Sequence, residues 1–382
     1  SNFHDNPVCV VSGEGAGGWL WSLAEEVSGG LAFVVCGSTV ARQDWFQRLV
    51  EDAQRPVTIF DSVEPDPSDE TVTRGGAVAA EAGAGVVVGI GGGSSMDAAK
   101  AIAAEAAAPG WVLAQDRPGE PTEVTTPPLP VILMPTTAGT ASEVTPFSVI
   151  TFTKTRRKLV LSHPALHARY ALLDPAPLVS APRPARVAAG LDALTHAVES
   201  FASKLATPQT RARTYSAIEE IRAHLLAACG DTPSLYALGR LQWAAMVAGL
   251  AFSHTRLGIV HAMALPLSAL FGVPHGMANA ILLPYGVRYN ASYALEVYAD
   301  VARALGETNE GEEPALRAAE AVRRLAEAVG APRSMAEVGV KEEAIPDMAA
   351  EAIKSTHIRV NPRPLELEDL IEVYRQALQG EW

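Results

Sequence analysis

Cysteine is scarce in this chain: 382 residues hold three, Cys9, Cys36 and Cys229, far apart and without a CxxC pair. That argues against a disulfide framework and a cysteine-type zinc site, and makes a reducing cytoplasm the expected location. Positive charge is short as well. Lys and Arg number 30 against 43 Asp and Glu, a net charge of −13. Such a surface repels phosphate backbones and anionic lipid, so neither nucleic acid nor a membrane is an expected partner. No uninterrupted apolar run reaches the ~18 residues of a bilayer span. The opening Ser1-Asn2-Phe3-His4 lacks the basic flank and apolar stretch of a secretory signal.

Core-forming residues are plentiful. Hydrophobic residues make up 48% and charged residues 19%, which excludes disordered and fibrous classes. At ~150 residues per domain the length predicts two domains. In the first half, continuous apolar runs at 8–11, 31–35, 57–60, 85–90, 130–134 and 171–173 alternate with helical stretches at 19–27, 43–53, 71–82 and 96–107. That alternation predicts a parallel sheet covered on both faces. The second half shows helix periodicity at 182–203, 210–229, 234–252, 257–270, 293–305, 315–329 and 367–378, punctuated by Pro208, Gly230, Pro233, Gly272, Pro274, Gly330 and Pro332. Two proline-rich stretches, Asp174-Pro175-Ala176-Pro177 and Ala181-Pro182-Arg183-Pro184, set the boundary near 178. The expected organisation is an α/β domain over 1–178 and an all-α domain over 179–382.

Three loops follow strands in the α/β half. Gly13-Glu14-Gly15-Ala16-Gly17-Gly18 is a literal GxGxxG. No acidic residue ends the next strand, so it reads better as a tight strand–helix turn than as a dinucleotide fingerprint. Gly91-Gly92-Gly93-Ser94-Ser95-Met96-Asp97 joins a buried strand to a helix. Glycines without Cβ atoms let backbone N–H groups and a helix N-terminus face a pyrophosphate. Pro135-Thr136-Thr137-Ala138-Gly139-Thr140-Ala141-Ser142-Glu143 brings hydroxyls to a strand end, suited to phosphate or ribose, or simply to a polar surface turn.

The helical half carries Asp192 and His196, then His261, then His275. Asp192 and His196 stand four apart and share a helix face. One carboxylate and three imidazoles suit Fe(II) or Zn(II). Singly, each histidine reads as a satisfied core or surface residue; the set of four is harder to dismiss.

Taken together these motifs resemble the iron-dependent (group III) alcohol dehydrogenase family, related in fold to glycerol dehydrogenase and dehydroquinate synthase. The likeness rests on the GGGSSMD and PTTAGTASEVT stretches, on Gly190-Leu191-Asp192-Ala193-Leu194-Thr195-His196-Ala197-Val198-Glu199 and on Val273-Pro274-His275-Gly276-Met277-Ala278-Asn279, in the family's order along essentially the whole chain. The resemblance implies a dinucleotide-binding α/β domain followed by a helical catalytic domain. It implies metal ligation by Asp192, His196, His261 and His275. It implies cofactor contacts from Gly92, Gly93, Ser94, Asp97, Thr136, Thr137, Thr140 and Lys158. The implied chemistry is hydride exchange between NAD(P)H and a small aldehyde beside Fe(II), or Zn(II), by a homodimer or higher homo-oligomer.

Three departures refine the expectation. Leu265 stands four residues after His261, where many members carry a second histidine. Gly37, followed by Ser38, stands where NAD-preferring members often carry Asp, so NADP(H) is expected over NAD(H), with Gly37 and Ser38 at the cofactor. Arg256 precedes His261 where relatives have small residues. It resembles the hydroxyethylphosphonate dehydrogenase (phosphonoacetaldehyde reductase) branch, whereas the stretch around His275 resembles general alcohol and lactaldehyde members. The expected substrate is a small aldehyde, with an anionic one such as phosphonoacetaldehyde received by a buried Arg256. The alternatives are an NAD-linked dehydrogenase of neutral alcohols of the lactaldehyde or propanediol type, a maleylacetate-type reductase, and a silent binding protein on the same scaffold, which the intact ligand set argues against.

Overall fold

The apolar runs of the first half become strands covered on both faces. Val86, Val87, Val88 and Ile90 are all buried, and consecutive burial without alternation is the mark of a parallel sheet between helices. The computed structural model describes residues 6–117, 120–308 and 314–381; the Ser1–His4 stretch read for a secretory signal lies outside them. The described chain forms two compact units. One holds the residues up to Thr137 and Ala141–Ala181; the other holds Ala138–Thr140 and the residues from Pro182 onward. The position expected for the boundary, 178, falls inside the 3-10 turn Ala176–Ser180. That turn stays with the first unit because Leu178 is buried and Ser180 Oγ accepts a hydrogen bond from Trp45 Nε1 at 3.2 Å.

In the first unit the order is β1 (Cys9–Ser12), α1 (Leu20–Val27), β2 (Leu31–Val35), α2 (Ser38–Ala41), α3 (Asp44–Glu51), β3 (Val57–Phe60), α4 (Asp69–Glu81), β4 (Ala84–Gly91), α5 (Gly93–Ala107), α6 (Trp111–Ala114), β5 (Val131–Pro135), β6 (Phe147–Phe152), β7 (Arg157–Ser162) and β8 (Tyr170–Leu173). Six strands pair in parallel in the order β1-β8-β5-β4-β2-β3. From β2 the chain steps outward to β3, then returns past β2 to β4 and continues the other way. Progression therefore reverses between β2 and β4. Open α/β sheets bind ligands beyond the carboxyl ends of strands at such a switch point. The loops leaving those two ends are Gly37-Ser38 and Gly91-Gly92-Gly93.

The antiparallel hairpin β6–β7 is an addition to the expected elements. Ser148, Ile150 and Phe152 alternate inward, but the Lys- and Arg-rich turn after them masks the period.

The second unit is helical: α7 (Arg183–Ala202), α8 (Pro208–Ala228), α9 (Leu235–Thr255), α10 (Ile259–Phe271), α11 (His275–Ala291), α12 (Leu295–Ala304), α13 (Pro314–Ala328), α14 (Ile345–Ala352) and α15 (Leu367–Gln379). Local chemistry sets their starts. Pro184 sits in the first turn of α7, Thr207 and Thr210 form a reciprocal cap on α8, and Ser234 Oγ accepts from Ala237 N to open α9. Helix α11 escapes periodicity because it carries Pro284 and is buried almost all round from Ala278 to Val287. Helix α9 is the most apolar long helix among the described residues. By length and mean hydropathy (1.2) it is long and apolar enough to cross a membrane, although Arg240 and Gln242 interrupt its run. The most apolar window of it is 61% buried inside the protein.

Candidate metal centre and dinucleotide loops

Helix α7 places Asp192, His196 and Glu199 on one face, at i, i+4 and i+7. Asp192, His261 and His275 bring their ligand atoms within 4.8 Å of one another. Asp192 Oδ1 lies 3.8 Å from His196 Nε2, 3.8 Å from His261 Nε2 and 4.0 Å from His275 Nε2. His196 packs between Phe252 and His261, ring centroids 4.4 and 4.8 Å away, and its Nδ1 meets the Gly139 carbonyl at 3.3 Å. Asp192, His196 and His261 are buried, whereas the His275 side chain is 32% exposed. The cluster therefore opens on the His275 side.

Two residues that the sequence reading did not single out organise this cluster. Glu199 Oε2 accepts from His261 Nδ1 at 2.6 Å, and the same carboxylate accepts from Val260 N at 2.7 Å and His261 N at 3.3 Å. Asn361 Oδ1 accepts from Ile259 N at 3.2 Å. The first three N–H groups of α10, orphaned in any helix, are thus satisfied from outside it. Gly258 makes this approach feasible, because a Cβ there would stand 2.9 Å from both Asn361 Oδ1 and Glu199 Oε1. With Nδ1 bonded to a carboxylate, His261 turns the Nε2 lone pair toward Asp192, the usual arrangement behind a metal-ligating imidazole. Asn279, one turn after His275, is fully buried. Its Nδ2 donates to Asp192 Oδ1 at 2.8 Å and lies 3.2 Å from both His261 Nε2 and His275 Nε2, while Oδ1 has no hydrogen-bond partner. Both residues were legible as spacing: Glu199 extends the Asp192–His196 face, and Asn279 is four residues from His275.

Electrostatics favour a cation among these atoms. Burial opposes the Asp192 charge, yet His196, His275, His261 and the Asn279 amide hold the carboxyl below its ordinary range. Burial, reinforced by His196 and His275, holds His261 well below the usual imidazole value, so it stays neutral and able to ligate. Burial pushes the Glu199 carboxyl up, against the pull of the Gly258, Val260 and His261 N–H groups and of His357. Acceptor atoms converging on one point, a carboxylate with imidazoles, fit Fe(II) or Zn(II).

In the first unit, Gly92 is the N-cap of α5 and offers no side chain to its first turn. Gly91 adopts φ +150°, and a Cβ there would stand 2.5 Å from Ser95 Oγ. Thr136 N donates to Gly91 O at 2.9 Å, and Thr137 flanks Gly92. Ser94 Oγ accepts from Asp66 N at 3.2 Å. Gly37 opens α2, with Ser38 exposed beside it. These residues are gathered at the switch point, with N–H groups free of side-chain caps, which suits a pyrophosphate. Asp97, Lys158 and Thr140 have surroundings of their own. Asp97 faces inward: its oxygens accept from Ser142 Oγ (2.5 Å) and Val149 N (3.0 Å), and Lys100 Nζ lies 3.4 Å away. It braces the loop beneath the glycines. Lys158 lies on the hairpin, paired with Asp66 at 2.5 Å. Thr140 clusters with the helical unit, apart from Thr136 and Thr137. The GxGxxG at Gly13–Gly18 follows β1, an edge strand; Gly17 N donates to Asp174 Oδ2 at 3.0 Å, and a Cβ there would strike Met134. It is a packing turn.

Arg256 is exposed, not buried as expected. It caps α9 with φ +59°, a left-handed conformation that costs a non-glycine residue roughly 1–3 kcal/mol. Leu265 is half-buried one turn beyond His261.

Residues 7–175 match the family described as iron-containing alcohol dehydrogenase, and residues 186–378 match its C-terminal part. The chain belongs to the iron-containing alcohol dehydrogenase family. It is 40% identical over 326 residues to lactaldehyde reductase of Escherichia coli (strain K12), covering 84% of each chain. It is 38% identical over 332 residues to 1,3-propanediol dehydrogenase of Citrobacter freundii, covering 86% of this chain and 85% of that one. Sulfoacetaldehyde reductase from Bifidobacterium kashiwanohense, solved in complex with NAD+, superposes with a TM-score of 0.89 at 26% identity over 98% of both chains. Family membership makes this protein an oxidoreductase of CH–OH groups with an NAD-type acceptor, acting between small aldehydes and alcohols.

Proposed function

We propose that the protein is a metal-dependent, NADPH-preferring reductase of small aldehydes, with Asp192, His196, His261 and His275 as metal ligands. The observation that carries the reading is the convergence of Asp192, His261 and His275 within 4.8 Å, braced by Glu199 and Asn279. When bound, the metal supplies Lewis acidity to a carbonyl oxygen and the dihydronicotinamide supplies the hydride. The chain's own part is to hold His261 by its Nδ1 proton, to keep Asp192 ionised, and to leave the His275 side open to substrate. On the cofactor side, Gly92, Gly93 and Ser94 receive the pyrophosphate, with Thr136 and Thr137 beside them. Gly37 and Ser38 receive the adenosine end without a carboxylate to repel a 2′-phosphate. Supply of the reduced cofactor in the cytoplasm and assembly as a homodimer or higher homo-oligomer belong to the same reading.

For the substrate, Arg256 supports an anionic aldehyde such as phosphonoacetaldehyde, and a reductase of an anionic aldehyde stands among the structural relatives. Exposure scales the contact down: a solvated pair contributes about 1 kcal/mol or less, so Arg256→Ala should cost roughly fivefold in kcat/KM on phosphonoacetaldehyde and leave propanal unchanged. The lactaldehyde and propanediol relatives favour a second reading, a dehydrogenase of neutral alcohols. The deciding experiment is kcat/KM for phosphonoacetaldehyde, lactaldehyde and propanal with NADPH and NADH after Fe(II) or Zn(II) loading. Preference for the neutral aldehydes with NADH overturns the anionic, NADPH-linked reading.

A further inference from the structure

His357 lies on the 3-10 segment Thr356–Val360, between helices α14 and α15, in a stretch that no motif marked. The segment is fixed at both ends. Ser355 Oγ accepts from His357 N at 3.3 Å, and Val360 O accepts from Lys204 N at 2.9 Å. Next to it, Asn361 exchanges hydrogen bonds with Asn290 at 2.7 and 3.0 Å while capping Ile259 at the start of α10. The imidazole is thereby held beside the metal ligands. Its ring centroid is 6.1 Å from that of His261, tilted by 56°. The residue keeps part of its surface accessible, yet Nδ1 is buried and has no hydrogen-bond partner among the described residues.

A buried ring nitrogen without a partner is costly, and its cost is removed by whatever bonds to it. A neutral imidazole carries one donor and one acceptor nitrogen. A group of that kind suits a hydroxyl or an anionic oxygen equally. Leu265, the half-buried aliphatic neighbour of His261 on α10, can do neither.

We propose that His357 contacts the substrate, hydrogen-bonding an oxygen-bearing substituent next to the reacting carbonyl. The inference rests on the aldehyde-reductase reading and names a specificity residue for it. An aldehyde with a hydroxyl, carboxylate or phosphonate near C1 gains the contact; an unsubstituted aldehyde does not.

The test compares wild type with His357→Leu and His357→Gln on propanal, lactaldehyde and phosphonoacetaldehyde, with metal content measured in each purified protein. His357→Leu should lower kcat/KM on lactaldehyde and phosphonoacetaldehyde by about tenfold, the loss of one buried hydrogen bond, mainly through KM, and change propanal by less than about twofold. His357→Gln should restore most of the loss. The two substituted aldehydes separate the sources: equal losses mean a shared oxygen contact, and a loss confined to one names the substituent. Equal losses on all three substrates, an unaltered profile, or loss of metal from His357→Leu overturns the inference. Turnover of none of the three by wild type overturns the aldehyde-reductase reading and this inference with it, whereas an active wild type whose His357→Leu variant loses equally on all three substrates, or on none, overturns this inference alone.

Discussion

Glu199→Gln tests the metal centre without touching a ligand. The carboxylate accepts from three donors: His261 Nδ1 at 2.6 Å, Val260 N at 2.7 Å and His261 N at 3.3 Å. Glutamine fills the same space but replaces one acceptor oxygen with an NH2. Turned toward Val260, that NH2 meets an N–H and leaves two buried donors facing each other, at about 1–3 kcal/mol. Turned toward His261, it forces Nδ1 to accept, which moves the proton to Nε2 and removes the lone pair that points at Asp192. The first falls on the opening turn of α10 that carries His261, the second on the His261 lone pair itself. Outer-shell partners of ligating histidines typically contribute 10–100-fold in metal affinity, about 1.4–2.8 kcal/mol, and Glu199→Gln should lose that much for Zn(II) or Co(II). Chelator-competition titration measures it, with far-UV circular dichroism to show that α10 is retained. Affinity within twofold of wild type, alongside loss of metal in His261→Ala, refutes the reasoning.

Three further outcomes are expected. His261→Ala and His275→Ala should each abolish tight metal binding and turnover, measured by metal analysis of the purified variants; wild-type metal content with retained activity removes these ligand assignments. Gly37→Asp should move the NADPH-to-NADH ratio of kcat/KM toward NADH by roughly tenfold or more through repulsion of a 2′-phosphate; φ is −88°, so the backbone accepts a side chain, although its Cβ must ease away from Val63 O at 3.2 Å. Burial raises the Glu143 carboxyl to about 7, against the pull of its backbone hydrogen bond and Lys100; the folded state then binds more protons than the unfolded one between about pH 4.5 and 7, so stability falls as pH rises through that window, by roughly 3 kcal/mol. Glu143→Gln should remove that slope, and a parallel Tm-versus-pH curve in the variant contradicts it.

Much of the fold is legible because local signals agree with the tertiary outcome. The run from Val86 to Ile90 is apolar without alternation, and it is the central strand. The three glycines after it sit at a switch point that only the strand order reveals. The literal GxGxxG reads as a turn because no acidic residue ends the next strand, and it packs as one after the edge strand β1. Asp97 has partners that the sequence does not show: it holds Ser142 and Val149, 45 and 52 residues away. At the candidate metal centre, the acidic and imidazole residues and the α7 spacing were visible, but the pairing of Glu199 with His261 joins residues 62 apart. His357, 96 positions beyond His261, is brought near by the anchoring of Val360 and Asn361. Burial also escapes the sequence: the Arg256 side chain was expected inside, and the left-handed turn at the end of α9 leaves it exposed.

The three residues Ala138–Thr140, which leave the sheet unit and rejoin it, bear on how this protein could be divided or recombined. Gly139 fits against Ala189 with no room for a Cβ, which would stand 2.7 Å from Ala189 O, and its carbonyl meets His196 Nδ1. A chain cut at Pro182 would carry every helix of the second unit and all four acidic and imidazole groups, yet lack the backbone oxygen that steadies one of them. The helical unit is therefore no exchangeable cassette in sequence. A chimera that swaps residues from 182 onward must carry the 138–140 stretch across with it, and a permuted chain must keep that stretch tethered at both of its ends.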